Sequence, residues 1–211
     1  VKYIEEHGLG NWTINKNRSN FGWRKSFKRL LDLASIDDGI VFPCDQDDIW
    51  YPKKLAEMTA VMEQHPEIKL LACDYRVLYE PGAIKATVYK KTPAETQGLI
   101  TRYGFTKHFF MNPYPGCTYA VRRDFFDAVK ELWFDGSPHD EFLWLMAAVQ
   151  DGAWFYNRVL MDYVRYSDNA SGVRYKDVAL QKENLRYIHK QLCALQSFAA
   201  EHPDALSEYR T

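Results

Sequence analysis

Ile40-Val41-Phe42-Pro43-Cys44-Asp45-Gln46-Asp47-Asp48-Ile49-Trp50 is the stretch that decides how this chain reads. Three bulky apolar residues, Ile40 to Phe42, run into three carboxylates, and an aromatic anchor follows. The apolar run reads as a buried strand of a parallel sheet. The acids then stand just past its carboxyl end, where open α/β sheets bind ligands. Each close pair of like charges, about 4 Å apart at an effective dielectric near ~20, costs roughly 4 kcal/mol. A divalent cation removes that penalty, and hard oxygen ligands select Mg²⁺, Mn²⁺ or Ca²⁺. The plainer alternative is an acidic turn that caps the following helix.

Working outward, 211 residues suit one domain, or one domain with an appendage. A hydrophobic fraction of 46% supports a sizeable core. Aromatic residues make up 15%, and such rings line sugar and base sites as well as cores. The net charge of −1 gives no reason to expect nucleic acid as a partner. Arg18, Arg24, Lys25, Lys28 and Arg29 cluster, but an interleaved apolar face reads as a solvated helix side. The four cysteines, Cys44, Cys73, Cys117 and Cys193, form no CxxC pair, so neither a zinc site nor a disulfide framework is expected. With no apolar stretch of membrane-spanning length and no signal peptide, the expected setting is reducing and cytoplasmic.

Hydrophobic spacing predicts helices over 1–9, 23–34, 123–132 and 139–149, with another opened by Pro52. A last helix beyond Lys176 carries a near-heptad stripe of Val178, Leu185, Ile188, Leu192, Leu195 and Ala199. Strands are expected at Trp12 to Ile14, 40–44, 68–73, 117–121, 153–156 and 159–166. Residues 80–115 are weakly periodic and read as irregular. Alternating strands and helices indicate an α/β fold. The expected division is a core over 1–175 and a helical extension over 176–211.

Four segments then converge on a family. They are Asn17-Arg18-Ser19-Asn20-Phe21-Gly22, the acidic segment with Trp50 and Pro52-Lys53-Lys54-Leu55, Pro115-Gly116-Cys117, and His139-Asp140-Glu141. In this order, over about residues 1 to 172, they resemble the family 2 glycosyltransferases of bacterial cell-surface polysaccharide synthesis, rhamnosyltransferase-like branch. The resemblance implies a GT-A fold, a mixed and mainly parallel sheet flanked by helices. It implies inverting transfer of a sugar from a UDP- or dTDP-linked donor to a hydroxyl of a glycan or lipid-linked acceptor, with Mn²⁺ or Mg²⁺. Asp45, Asp47 and Asp48 match its DxD-type motif, with Asp47 and Asp45 the first choices for metal. Asp140 matches the general base. Gly116, Cys117, His139 and Glu141 fall on the acceptor side. Where relatives carry a histidine this chain has Tyr166, so Arg165 or Arg174 is expected to meet the diphosphate instead. Asp140 also fits a plain helix-capping role. The front strands of the family have no counterpart here, which reads as an N-terminally shortened core.

Two rivals remain. One is a non-catalytic sugar-binding or scaffold domain derived from such an enzyme. The other is a haloacid dehalogenase-like phosphatase, whose pattern wants Thr or Val where Ile49 stands. An EF-hand fails, because its glycine and glutamate positions hold Trp50 and Ala56. The setting leaves room for peripheral membrane association at the inner membrane face.

Overall fold

The computed structural model describes residues 2–34, 39–83, 96–104, 112, 114–167 and 178–203. Its centre is β3 (Leu70–Tyr79), a strand covered on both faces at its start. Strand geometry sends alternate residues to opposite sides. Leu70 and Ala72 therefore enter one core with Phe126, Val129, Phe142 and Leu143. Leu71 and Cys73 enter the other with Met58, Met62 and Met161. The first core is filled by α2 (Gly22–Leu33), α4 (Arg123–Val129), α5 (His139–Ala148) and α6 (Val178–Glu201), the second by α3 (Lys54–Gln64). A short α1 (Lys2–Glu6) precedes them and buries nothing.

The sheet is mixed and runs β1-β5-β3-β6-β2, where β1 is Ile40–Val41, β2 is Ile49–Trp50, β5 is Tyr119–Arg122 and β6 is Ala153–Arg165. β4 (Ile100–Arg102) pairs with the first part of β6. The longest pairing, β3 with β6, is parallel. The remaining four are antiparallel. Ile40–Val41, expected in a parallel sheet, therefore pairs antiparallel with Val121 and Arg122 instead. It stops at Val41, short of the proline at 43, which carries no ladder donor.

Two expected strands prove to be one. Cys73 pairs with Tyr156 and Asp74 with Val159, so Asn157 and Arg158 are extra residues on β6. They form a bulge, which interrupts periodicity without ending a strand. Trp12 to Ile14 is not a strand; its side chains are exposed and pair with nothing among the described residues. β4 lies in the stretch read as irregular, because three residues are too short to show a period. Much of that stretch, with Pro113, Arg174 and 168–177, lies outside the described residues.

Two consecutive arginines join the layers. Arg122 donates from Nε to Ile68 O at 2.6 Å and from Nη2 to the carbonyls of Met62 and His65, at the end of α3. Arg123 donates to Leu31 O at 2.9 Å and Ala34 O at 2.5 Å, at the end of α2, and is held by Asp127. The last carbonyls of a helix have no partner of their own, and cations suit that negative end. Arg123→Ala strips buried carbonyls of their donors and should lower unfolding free energy by about 1–3 kcal/mol. A urea midpoint equal to the parent's would show that α2 does not depend on this cap.

Candidate active site

The acidic loop is pinned at both ends by the sheet. β1 delivers the chain into it, and β2 leaves it by pairing Ile49 with Asp162 and Trp50 with Met161. Tyr51 then donates its hydroxyl to Asp162 at 2.7 Å. Asp162 also accepts two bonds from the Arg76 guanidinium, each 2.7 Å. That bidentate pair holds the Asp162 carboxyl below its ordinary range.

Beneath the loop lies Lys54, with no exposed surface at all. Its ammonium sits 3.7 Å from the centre of the Trp50 ring, donates to Cys117 O, and lies 3.4 Å from Met161 Sδ. Burial pushes its pKa down, and the neighbouring thiols and Asp48 push it back up. This lysine ties the acidic loop to the short 3-10 turn Gly116–Thr118. Its position was open to sequence reading, since Lys54, Met58 and Met62 make one inward stripe at helical spacing.

Above Lys54 the carboxylates gather. Donor atoms of Asp45, Asp48 and Cys117 all lie within 4.8 Å of one another. Asp48 accepts the Val164 backbone N–H at 3.0 Å, while its Oδ2 is buried with no hydrogen-bond partner. Burial raises the Asp48 carboxyl, and hydrogen bonding from the Cys117 thiol and the Val164 amide pulls it back. Burial, then Asp48, Asp47 and Asp140, pushes Asp45 up to about 6. Burial, with the nearby Asp48 carboxylate, also lifts Cys117 well above its ordinary value, so it stays a protonated thiol beside Asp48. An orphaned carboxylate oxygen beside a carboxylate short of positive charge fits a hard divalent cation. Asp45 and Asp48 would hold it, with Asp47 on the cleft wall beside them.

That wall belongs to an open cleft of about 230 Å³. Asp45, Gln46 and Asp47 line one side; Pro115, Gly116, His139 and Asp140 face them; Trp23, Phe27, Tyr163 and Tyr166 complete the lining. Asp140 stands in the first turn of α5 and accepts the Glu141 N–H at 3.0 Å. His139 is buried, stacks on Phe27 at 4.0 Å and meets Trp23 edge-on at 6.4 Å. Its ring nitrogens have no partner, and burial lowers its pKa, so the ring is neutral at pH 7. A Cβ on Gly116 would lie 2.1 Å from His139 Nε2, so this close approach needs glycine.

The cleft thus brings together Asp45, Asp47, Gly116, His139 and Asp140, with Asp48 behind them. Three expected residues sit elsewhere. Cys117, placed on the acceptor side by sequence, is 1% exposed and lies behind the acids, because the turn at Gly116–Thr118 rolls it inward. Glu141 faces α6 and is bonded by Tyr187. Arg165 is buried with its guanidinium 5.9 Å from the Tyr163 ring and is not part of the cleft lining. Sequence reading missed the aromatic side of the cleft. Trp23 and Phe27 were visible there only as helical apolar positions.

No protein-family model matches the chain. Over 164 residues it is 25% identical to the dTDP-rhamnosyl transferase RfbG of Shigella flexneri, across 72% of this chain and 52% of that protein. The chain spans about half the length of this relative. Its fold matches Staphylococcus aureus TarS 1–349, solved in complex with UDP-GlcNAc, with a TM-score of 0.58 at 14% identity. That match covers 82% of this chain and 48% of TarS. The chain therefore carries a GT-A-like fold, a curled mixed sheet flanked by helices.

Gly116→Ala drives a methyl into the His139 ring and should cost about 1–3 kcal/mol of stability, with the cleft side of His139 displaced. An unchanged melting temperature would mean that the ring moves aside freely. The folded Asp45 carboxyl lies at about 6 against 3.8 ordinarily, so between those values the folded state binds more protons than the unfolded state. Its contribution to stability is present below 3.8 and lost as pH rises to about 6. In chelator, Asp45→Asn should gain on the parent in melting temperature across that window. Mn²⁺ at pH 7 should stabilise the parent alone. A constant difference across the window would remove Asp45 from this role.

Proposed function

We propose that this chain is the core of a metal-dependent, inverting glycosyltransferase. It moves a sugar from a nucleotide-diphospho-sugar to a hydroxyl of a glycan or lipid-linked acceptor in cell-surface polysaccharide synthesis. The observation that carries the reading is a carboxylate pair with an unpartnered buried oxygen, set across one cleft from a further carboxylate, Asp140. The dTDP in the name of the curated relative favours a dTDP-linked donor, and the UDP-GlcNAc bound to TarS keeps a UDP-linked one open.

Asp45 and Asp48 would hold Mn²⁺ or Mg²⁺ against the donor diphosphate, with Asp47 on the cleft lining beside them. There a divalent ion supplies Lewis-acid charge to the leaving group. Asp140 would accept the proton of the acceptor hydroxyl as that oxygen attacks the anomeric carbon. The bond from that carbon to the diphosphate oxygen breaks on the opposite face, and its electron pair leaves with the nucleotide. The configuration therefore inverts. Trp23, Phe27 and His139 give the cleft an aromatic wall suited to the apolar face of a sugar ring. Gly116 lets the backbone come close to the acceptor. Among the described residues no helix is long and apolar enough to cross a membrane. A lipid-linked acceptor would then be met by peripheral docking on the cytoplasmic face.

Asp140→Asn in the complete protein tests the reading. It keeps shape and removes the base, so transfer should slow by on the order of 10² to 10⁴ with donor affinity nearly intact. A variant as fast as the parent would take the base role from Asp140.

A further inference from the structure

Helix α6 grips the segment that leads into Asp140. The Tyr187 ring lies 5.5 Å from Phe134, and the Lys190 ammonium lies 5.7 Å from that same ring. The Tyr187 hydroxyl accepts from Gln191 Nε2 at 2.9 Å and lies 3.3 Å from Ser137 Oγ. The same hydroxyl lowers the Glu141 carboxyl against the rise that burial gives it. Ser137 Oγ also lies 3.3 Å from Pro138 O, so its one proton is shared between that carbonyl and the Tyr187 oxygen. Ser137 and Gln191 are each 1% exposed, so water does not compete for them.

Ser137 and Glu141 flank Asp140 in the chain; the Tyr187 hydroxyl on α6 lies 3.3 Å from Ser137 Oγ and lowers the Glu141 carboxyl. α5 has no side-chain cap at Pro138, and its first turn is otherwise held by Asp140 accepting the Glu141 N–H and by Trp133 Nε1 donating to Ser137 O. We propose that Tyr187 is a positioning residue: its hydroxyl clamps the Ser137–Glu141 turn that presents Asp140, which makes α6 part of the catalytic unit. This rests on the sugar-transfer reading for the task of Asp140, while the clamp itself stands on its own contacts. Chemistry is sensitive to such support, because a base displaced by about 1 Å can lose ~10²-fold in rate.

Tyr187→Phe keeps the ring on Phe134 and removes the hydroxyl. In the complete protein, with dTDP-rhamnose as probe and water as acceptor, released dTDP gives kcat and donor KM. The expected result is a kcat about 10- to 100-fold lower, with donor KM unchanged. Ser137→Ala, which leaves Tyr187 in place, should move kcat in the same direction. It serves as the second variant if Tyr187→Phe folds poorly. An unchanged kcat in a folded variant overturns the proposal.

Carbon-13 titration of the Glu141 carboxyl provides a readout independent of turnover. Its surroundings are Tyr187 from α6, Asp140 from α5 and Arg24 from α2. Loss of the Tyr187 donor should raise its midpoint. If the parent hydrolyses no donor, the sugar-transfer reading fails, and this titration decides the clamp alone. A raised midpoint then supports it, and an identical midpoint in parent and variant overturns it.

Discussion

A buried ammonium beneath three carboxylates is the constraint on which the rest of this molecule depends. Lys54 has no exposed surface and no carboxylate within ion-pair distance among the described residues, yet it is enclosed by Trp50, Met161 and the Cys117 carbonyl. Enclosing a charge costs several kcal/mol unless the surroundings supply compensating charge and dipoles. The compensation here comes from the ring face, the carbonyl and the field of Asp48 above it. In return the lysine sets the height of two loops at once. It ties Trp50, just after the acids, to the turn before β5, and residues of both segments line the cleft.

The same logic explains why that cleft suits an ion and an anion together. Asp45 is driven up to about 6 by burial and by three neighbouring carboxylates, and Asp48 keeps an oxygen unpartnered. Such a cluster is unstable as a purely structural feature, since like charges and an orphaned acceptor both oppose folding. A divalent cation relieves both defects, and a diphosphate then completes the charge balance. Across the gap, α5 brings Asp140 to the rim, and α2 contributes Trp23 and Phe27. The arrangement is held by connections that do not touch the cleft: Arg122 and Arg123 at the helix ends, the Asp162–Arg76–Tyr51 knot under β2, and Tyr187 behind α5.

Much of this was legible in the sequence, for definable reasons. The apolar run before the acids and the Met58–Met62 face of α3 were readable from spacing, while α5 is buried all round from Phe142 to Ala148 and was readable from its continuous apolar content. The carboxylates were legible because three acids at a strand end have few structural uses. Strand direction was not legible, since Ile40–Val41 offers the same pattern to a parallel or an antiparallel partner. The bulge at Asn157 and Arg158 looked like a strand break, because two extra residues reset the alternation. Cys117, Glu141 and Arg165 were assigned by their neighbours in the chain. One turn of backbone sends each of them away from the cleft, and spacing alone does not show which way a side chain rolls.

The most direct measurement is calorimetric titration of the folded chain with dTDP and UDP, with Mn²⁺ present and with chelator. The account predicts nucleoside diphosphate binding that requires the metal and disappears in Asp45→Ala while the fold is kept. Binding that is equal with and without Mn²⁺, or that survives Asp45→Ala unchanged, would contradict it.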